Sequence, residues 1–113
     1  MKLAVIDYKS ASNRLKDFLK LRGVEVEIAE TLDELEEQHG ALNKYDGLLL
    51  HPHIREWARC LKDIPQKYPD LRYAIATHGL SEYLNNSRIR VFDFADVNEI
   101  FDYFFGKDKI LNN

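Results

Sequence analysis

The sequence predicts one α/β domain in which five parallel strands are covered by helices on both faces. Two observations support this prediction. Short apolar segments alternate with segments of helical periodicity along the whole chain, as they do in successive βα units. Several of the apolar segments are continuous rather than alternating, which is typical of parallel strands buried on both faces. A chain of 113 residues is expected to form one domain, over residues 1–106, followed by a frayed tail over 107–113.

The first half of the chain has the patterns of three strands and two helices. Gly23 is expected to end the first helix. Thr31 and Glu34 have the spacing of a capping box, so the second helix is expected to open at Thr31. The expected strands are 3–7, 24–29 and 47–51, the first helix is 10–22, and Leu32, Leu35 and Leu42 form the buried stripe of the second.

The second half continues the alternation. Pro65 and Pro69 are expected to bracket the loop after the third helix, and Asp96 with Glu99 repeats the capping-box spacing at the last helix. The expected helices are 54–64, 80–85 and 96–106, and the expected strands are 71–77 and 89–94.

Strand patterning predicts the order of the sheet. The segments 3–6, 48–50 and 73–76 are continuously apolar, so they are expected in the middle. The segments 24–28 and 88–91 alternate between apolar and charged residues, so they are expected at the edges. The result is the order 2-1-3-4-5 of flavodoxin-like folds, whose ligand crevice lies between strands one and three, beyond their carboxyl ends.

Histidines are concentrated at this predicted crevice. Three of the four histidines in the chain lie at or just beyond the carboxyl end of the third or fourth predicted strand. The residues expected to converge at the carboxyl ends of strands one, three and four are Asp7, Tyr8, His51, His53, Thr77 and His78.

The segment 45–51 resembles the third strand of response-regulator receiver domains, and the resemblance covers nearly the whole chain. In that family this strand ends on the aspartate that accepts phosphate, and His51 stands at the matching position. Of the acidic pair after strand one, the chain keeps Asp7 and has Tyr8 at the second place. The family's serine or threonine is retained as Thr77, whereas Asp93 stands near the place of its lysine. The resemblance implies a degenerate receiver, or pseudo-receiver.

A pseudo-receiver is expected to be a cytoplasmic signalling module related to two-component systems, which binds protein partners without phosphorylation and without a cofactor. Receivers use the surface formed by helix four, strand five and helix five for partners. In this chain that surface is expected to expose aromatic and arginine side chains, and a homodimer is the simplest expected assembly. Its expected residues are Tyr83, Arg90, Phe92 and Tyr103.

A histidine-lined pocket has alternative uses. Imidazole and carboxylate ligands suit zinc, for which His51, His53, His78 and Asp7 are the candidates. A small anion is the other candidate ligand, and structural filling of a vacated acidic pocket is the simplest interpretation. Zinc affinity should fall as pH drops through about 6.5, whereas anion affinity should rise. A small enzyme with His51 as base and Asp7 as its orienting acid is a further alternative.

A second resemblance is weaker. The segment 5–8, with Asn13 and Leu15, is similar to the start of class I glutamine amidotransferases. That family requires a nucleophilic cysteine after a later strand, and the segment 76–79 contains none.

Composition excludes several classes of function. A net charge of −3 gives no reason to expect nucleic-acid binding, which usually leaves a basic footprint. No apolar run approaches the roughly 18–20 residues of a membrane-spanning helix, so no membrane association is expected. The single cysteine, Cys60, excludes an internal disulfide and fits a reducing compartment.

Overall fold

The computed structural model describes residues 1–8, 12–51, 57–78 and 89–106. Within these residues the chain alternates between strands and helices as expected. The elements are β1 (Lys2–Ile6), α1 (Asn13–Leu21), β2 (Glu25–Ala29), α2 (Leu32–His39), a 3-10 turn (Leu42–Lys44), β3 (Gly47–Leu50), α3 (Trp57–Lys67), β4 (Tyr73–Thr77), β5 (Val91–Asp93) and α4 (Val97–Phe105). The predicted helix over 80–85 and the predicted tail over 107–113 lie outside the described residues.

The five strands form one sheet of order β2-β1-β3-β4-β5, and every pairing is parallel. This confirms the predicted order. β1 lies between β2 and β3, with Ile6 opposite both Ala29 and Leu50. The carboxyl ends of β1 and β3 are therefore level, which brings the residues that follow them together.

Helices cover both faces of the sheet. On one face α1 and α4 bury Leu15, Leu19, Ile100 and Phe104 against alternate strand residues. On the other face α2 and α3 bury Leu35, Cys60 and Ile64 against the remaining set. Because β1 and β3 supply residues to both cores, their side chains are almost all fully buried, as continuous apolar runs predict.

The prediction that Pro65 begins a loop is wrong. α3 continues through Pro65 to Lys67, and the Tyr68 amide donates to the Ile64 carbonyl at 2.8 Å. Proline removes one helical hydrogen bond but does not prevent packing of the flanking turns. Here Ile64 is fully buried before the proline, and Lys67 contacts Glu36 after it, with Nζ–Oε1 at 3.3 Å. Tertiary contacts therefore flank the proline on both sides.

The two predicted capping boxes have different outcomes. At α2 the Glu34 amide donates to Thr31 Oγ1 at 3.0 Å, which confirms the predicted start of the helix. At α4 the side chain of Asp96 makes no capping hydrogen bond. The preceding turn is instead closed by Asp93, whose Oδ1 accepts from the Ala95 amide at 2.8 Å. Leu42 is buried as expected but belongs to the 3-10 turn rather than to α2.

None of the helices in the described part of the chain is long and apolar enough to cross a membrane.

Candidate functional site: a buried aspartate between two histidines

The site is built around Asp7, the residue that follows β1. Its side chain is fully buried. Oδ1 accepts a hydrogen bond from the Tyr8 amide at 2.7 Å, while Oδ2 accepts from the Ser12 hydroxyl and lies 2.8 Å from His78 Nε2. A buried carboxylate is costly unless hydrogen bonds replace its water, and these contacts supply that replacement.

His51 occupies the corresponding place after β3. Its amide donates to the Ile6 carbonyl at 3.0 Å, which extends the β1–β3 pairing to the edge of the site. The ring is buried, with Nδ1 3.3 Å from the Ala76 carbonyl oxygen and Nε2 4.0 Å from Asp7 Oδ1. Since a carbonyl only accepts, this contact places a hydrogen on Nδ1. In the neutral ring the lone pair is then on Nε2, the nitrogen that faces Asp7.

His78 follows β4 and closes the site from the solvent side. Its ring stacks on Phe94 with centroids 4.3 Å apart and an interplanar angle of 17°. The ring centroid lies 5.0 Å from that of His51, in an edge-to-face arrangement. The side chain keeps 36% of its surface exposed, so the cluster is reachable from solution.

The remaining predicted site residues surround this cluster at different depths. Thr77, the last residue of β4, is buried. Tyr8 is 49% exposed and presents its ring to His51 at a centroid distance of 6.0 Å. Asp93 lines a cavity of about 240 Å³ beside His78. His53 lies outside the described residues.

Two contributors to the site were missed by sequence reasoning. Ser12 is buried and bonds to Asp7, although its position before α1 is typical of a helix cap. Phe94 supplies the platform for His78. The position of Ser12 five residues after Asp7, at the start of the crossover, was the available signal. No pattern in the sequence specified the stacking of Phe94 on His78.

The predicted partner surface is only partly exposed. Phe92 is 3% exposed, so the expectation that it presents an exposed ring is wrong. It is covered by Tyr103, at a centroid distance of 5.4 Å, and by the Arg90 guanidinium, 5.0 Å from its ring. Arg72 also lies over Tyr103, at 5.1 Å. The surface therefore presents arginines above aromatic rings, while Tyr83 lies outside the described residues.

The fold is similar to those of solved receiver domains. The non-phosphorylated HemR receiver domain from Leptospira biflexa is 24% identical with a TM-score of 0.61, covering 81% of this chain and 78% of that one. The beryllofluoride-activated NtrC4 receiver domain dimer is 16% identical with a TM-score of 0.63, covering 91% of this chain and 98% of that one. No protein-family model matches the sequence, and no curated protein is significantly similar to it.

At these identities the likeness shows the fold alone. Together with the sheet order, it confirms the predicted flavodoxin-like architecture and the resemblance of the fold to receiver domains.

Proposed function

We propose that residues 1–106 form a pseudo-receiver: a cytoplasmic signalling module that binds protein partners and is not phosphorylated on aspartate. The observation that supports this most directly is the pairing of His51 with Asp7 at the carboxyl edge of the sheet. Where the resemblance places an acceptor carboxylate, the chain has a buried imidazole 4.0 Å from the remaining acid.

Asp7, the acid that remains, is also poorly suited to the phosphoryl chemistry of receiver domains. Magnesium prefers several oxygen ligands in octahedral geometry, whereas the neighbours of Asp7 are two imidazoles. Asp93, near the place that the resemblance gives to a lysine, adds a negative rather than a positive charge to the edge of the site.

The test is incubation with a small phosphodonor and magnesium, followed by intact mass measurement under acid conditions. The expected result is no phosphoryl adduct. A receiver domain with an intact acceptor aspartate, treated in parallel, is the positive control. An adduct on this chain that hydroxylamine removes, and that peptide mapping assigns to an aspartate, contradicts the proposal.

The proposed partner surface is the Arg90–Tyr103 face, defined by Arg90, Phe92 and Tyr103. The NtrC4 neighbour was solved as a dimer, and a homodimer is the simplest assembly for this chain. Arg90 is the appropriate residue to change because it is exposed, whereas Tyr103 packs against the core and its replacement would also perturb folding.

Sedimentation of the wild type against Arg90→Glu tests this assignment. Lys62→Glu, an equal change of charge at an exposed position of α3 on the opposite face, is the matched control. The wild type and the Lys62→Glu variant are expected to dimerise, and Arg90→Glu is expected to weaken the dimer. If the wild type dimerises and both variants retain its mass, the Arg90–Tyr103 face is not the interface.

A further inference from the structure

We propose that Asp7, His51 and His78 form a binding site for a divalent transition metal, with zinc the best match. This inference goes beyond the signalling function and does not depend on it. One ligand atom from each of the three residues lies within 4.8 Å of the other two. Asp7 and His51 are buried, and the three residues come from the ends of three adjacent strands.

The spacing of the ligand atoms fits a single ion. A tetrahedral zinc with bonds of about 2.0–2.1 Å places its ligand atoms about 3.3 Å apart. His78 Nε2 is 2.8 Å from Asp7 Oδ2, and His51 Nε2 is 4.0 Å from Asp7 Oδ1. The two distances are to different oxygens of the carboxylate and lie on either side of the required value. Because all three ligand atoms lie within 4.8 Å of one another, side-chain rotation would bring them onto one ion. Three protein ligands leave the fourth position of a tetrahedral zinc site to water, and His78, with 36% of its side-chain surface exposed, connects the cluster to solvent.

The surroundings of His51 and Asp7 are those of ordered metal ligands. Metal-binding histidines usually donate their second ring N–H to a carbonyl or carboxylate, which fixes the orientation of the ring. His51 Nδ1 makes such a contact with the Ala76 carbonyl at 3.3 Å, so Nε2 is directed at the cluster. Asp7 is fixed in the same way by the Tyr8 amide and the Ser12 hydroxyl.

The charge of the site favours a cation over an anion. The Asp7 carboxylate lies between the two imidazoles, 2.8 Å from one and 4.0 Å from the other, so an anion bound to both rings would meet this negative charge. Asp93 adds a second carboxylate to the adjacent cavity, which also contains Arg14. Imidazole nitrogens with one carboxylate form the ligand set of zinc rather than of magnesium.

Metal binding replaces one existing interaction. His78 Nε2 donates a hydrogen bond to Asp7 Oδ2, and a bound metal would take the place of that hydrogen between the two atoms. If the His78 ring is neutral, this hydrogen moves to Nδ1 through exchange with solvent; if the ring is an imidazolium, which already has a hydrogen on Nδ1, the proton leaves to solvent.

The experiment is isothermal titration of the full chain with zinc, alongside thermal melting with and without the metal. The wild type is expected to bind one zinc ion and to melt at a higher temperature in its presence. His78→Ala is the main variant because His78 is partly exposed and its loss leaves the core intact. Its zinc affinity should fall at least about 100-fold, since changes outside the ligand set already cost about 10–100-fold. His51→Ala should have the same effect.

His39→Ala is the matched control. His39 lies on α2, away from the cluster. It is partly exposed, and its Nε2 lies 3.4 Å from Glu27 Oε2. This variant should bind zinc like the wild type, and excess magnesium should not displace the metal. The proposal is overturned if the wild type shows neither heat nor a melting shift, or if His78→Ala binds zinc as tightly as the wild type. Neither result would bear on phosphorylation, which the phosphodonor experiment tests separately.

Discussion

The buried polar groups at the two ends of β3 differ in their hydrogen bonding. At the carboxyl end, the Asp7 carboxylate is surrounded by donors from Tyr8, Ser12 and His78. At the amino end, the Tyr45 hydroxyl is buried and has no hydrogen-bond partner among the residues that the structure describes.

The difference separates two uses of a buried polar residue. Tyr45 fills space in the core between the sheet and the helices α2 and α3, so its ring matters more than its hydroxyl. Asp7 fills little space, and its effect comes from the groups that it orients. The carboxyl end should therefore be sensitive to loss of a polar group, whereas the amino end should be sensitive to loss or gain of volume.

The largest effect is expected from Asp7→Ala. Removing the carboxylate leaves the Tyr8 amide, the Ser12 hydroxyl and His78 without their shared acceptor. The free energy of unfolding, measured with urea, should fall by about 3–5 kcal/mol. Asp46→Ala is the control, because Asp46 accepts from the Lys2 amide at an exposed position and should cost about 1 kcal/mol or less. If both variants lose the same free energy of unfolding, burial of the Asp7 carboxylate does not increase the cost of removing it.

The second prediction concerns alkaline pH. Burial, with smaller contributions from Glu27 and Glu25, raises the pKa of Tyr45 from 10.0 to about 12. The folded protein therefore retains this proton after the unfolded chain has lost it. The contribution of Tyr45 to the free energy of unfolding is fully present below pH 10. It is lost as the pH rises towards 12, by roughly 2–3 kcal/mol in total. Tyr45→Phe should remove this part of the alkaline loss in urea unfolding.

Tyr68→Phe provides the comparison for that experiment. Burial, followed by a hydrogen bond from its hydroxyl to Glu36, raises the pKa of Tyr68 as well. This variant should also reduce the alkaline loss, but it should be less stable than the wild type at pH 7 by about 1 kcal/mol because a hydrogen bond is lost. Tyr45→Phe should not be less stable at pH 7. A clear destabilisation by Tyr45→Phe at that pH would mean that its hydroxyl is paired in solution.

The last prediction concerns added volume at the amino end of β3. A Cβ atom added at Gly47 would overlap the Phe104 ring. It would lie 3.0 Å from the ring Cγ and closer still to Cδ1 and Cε1. Gly47→Ala should cost about 1–3 kcal/mol by overpacking. The double variant Gly47→Ala/Phe104→Leu should be more stable than the sum of the two single changes predicts. If the effects of the two single changes on stability simply add, the Phe104 ring moves aside from the new Cβ atom without cost.

Sequence reasoning was most successful where one pattern determines one structural property. The alternation in residues 24–28 placed β2 at an edge of the sheet, and the sheet order then placed Asp7, His51 and His78 together. It failed where distant contacts decide the outcome. α3 continues past Pro65 to Lys67, where Lys67 contacts Glu36 of α2, and Phe92 is buried because Tyr103 and Arg90 cover it. Neither contact can be inferred from local periodicity.

We propose that the carboxyl edge of the sheet does not recognise a phosphoryl group. The most direct test is an NMR titration of the isotope-labelled chain, first with magnesium and then with beryllofluoride, a tetrahedral mimic of a phosphoryl group on a carboxylate. The amide signals of Tyr8, His51 and Thr77 should not change when beryllofluoride is added to the magnesium-treated sample. Saturable shifts of these signals, at concentrations that also shift a receiver domain with an intact acceptor, would contradict the claim.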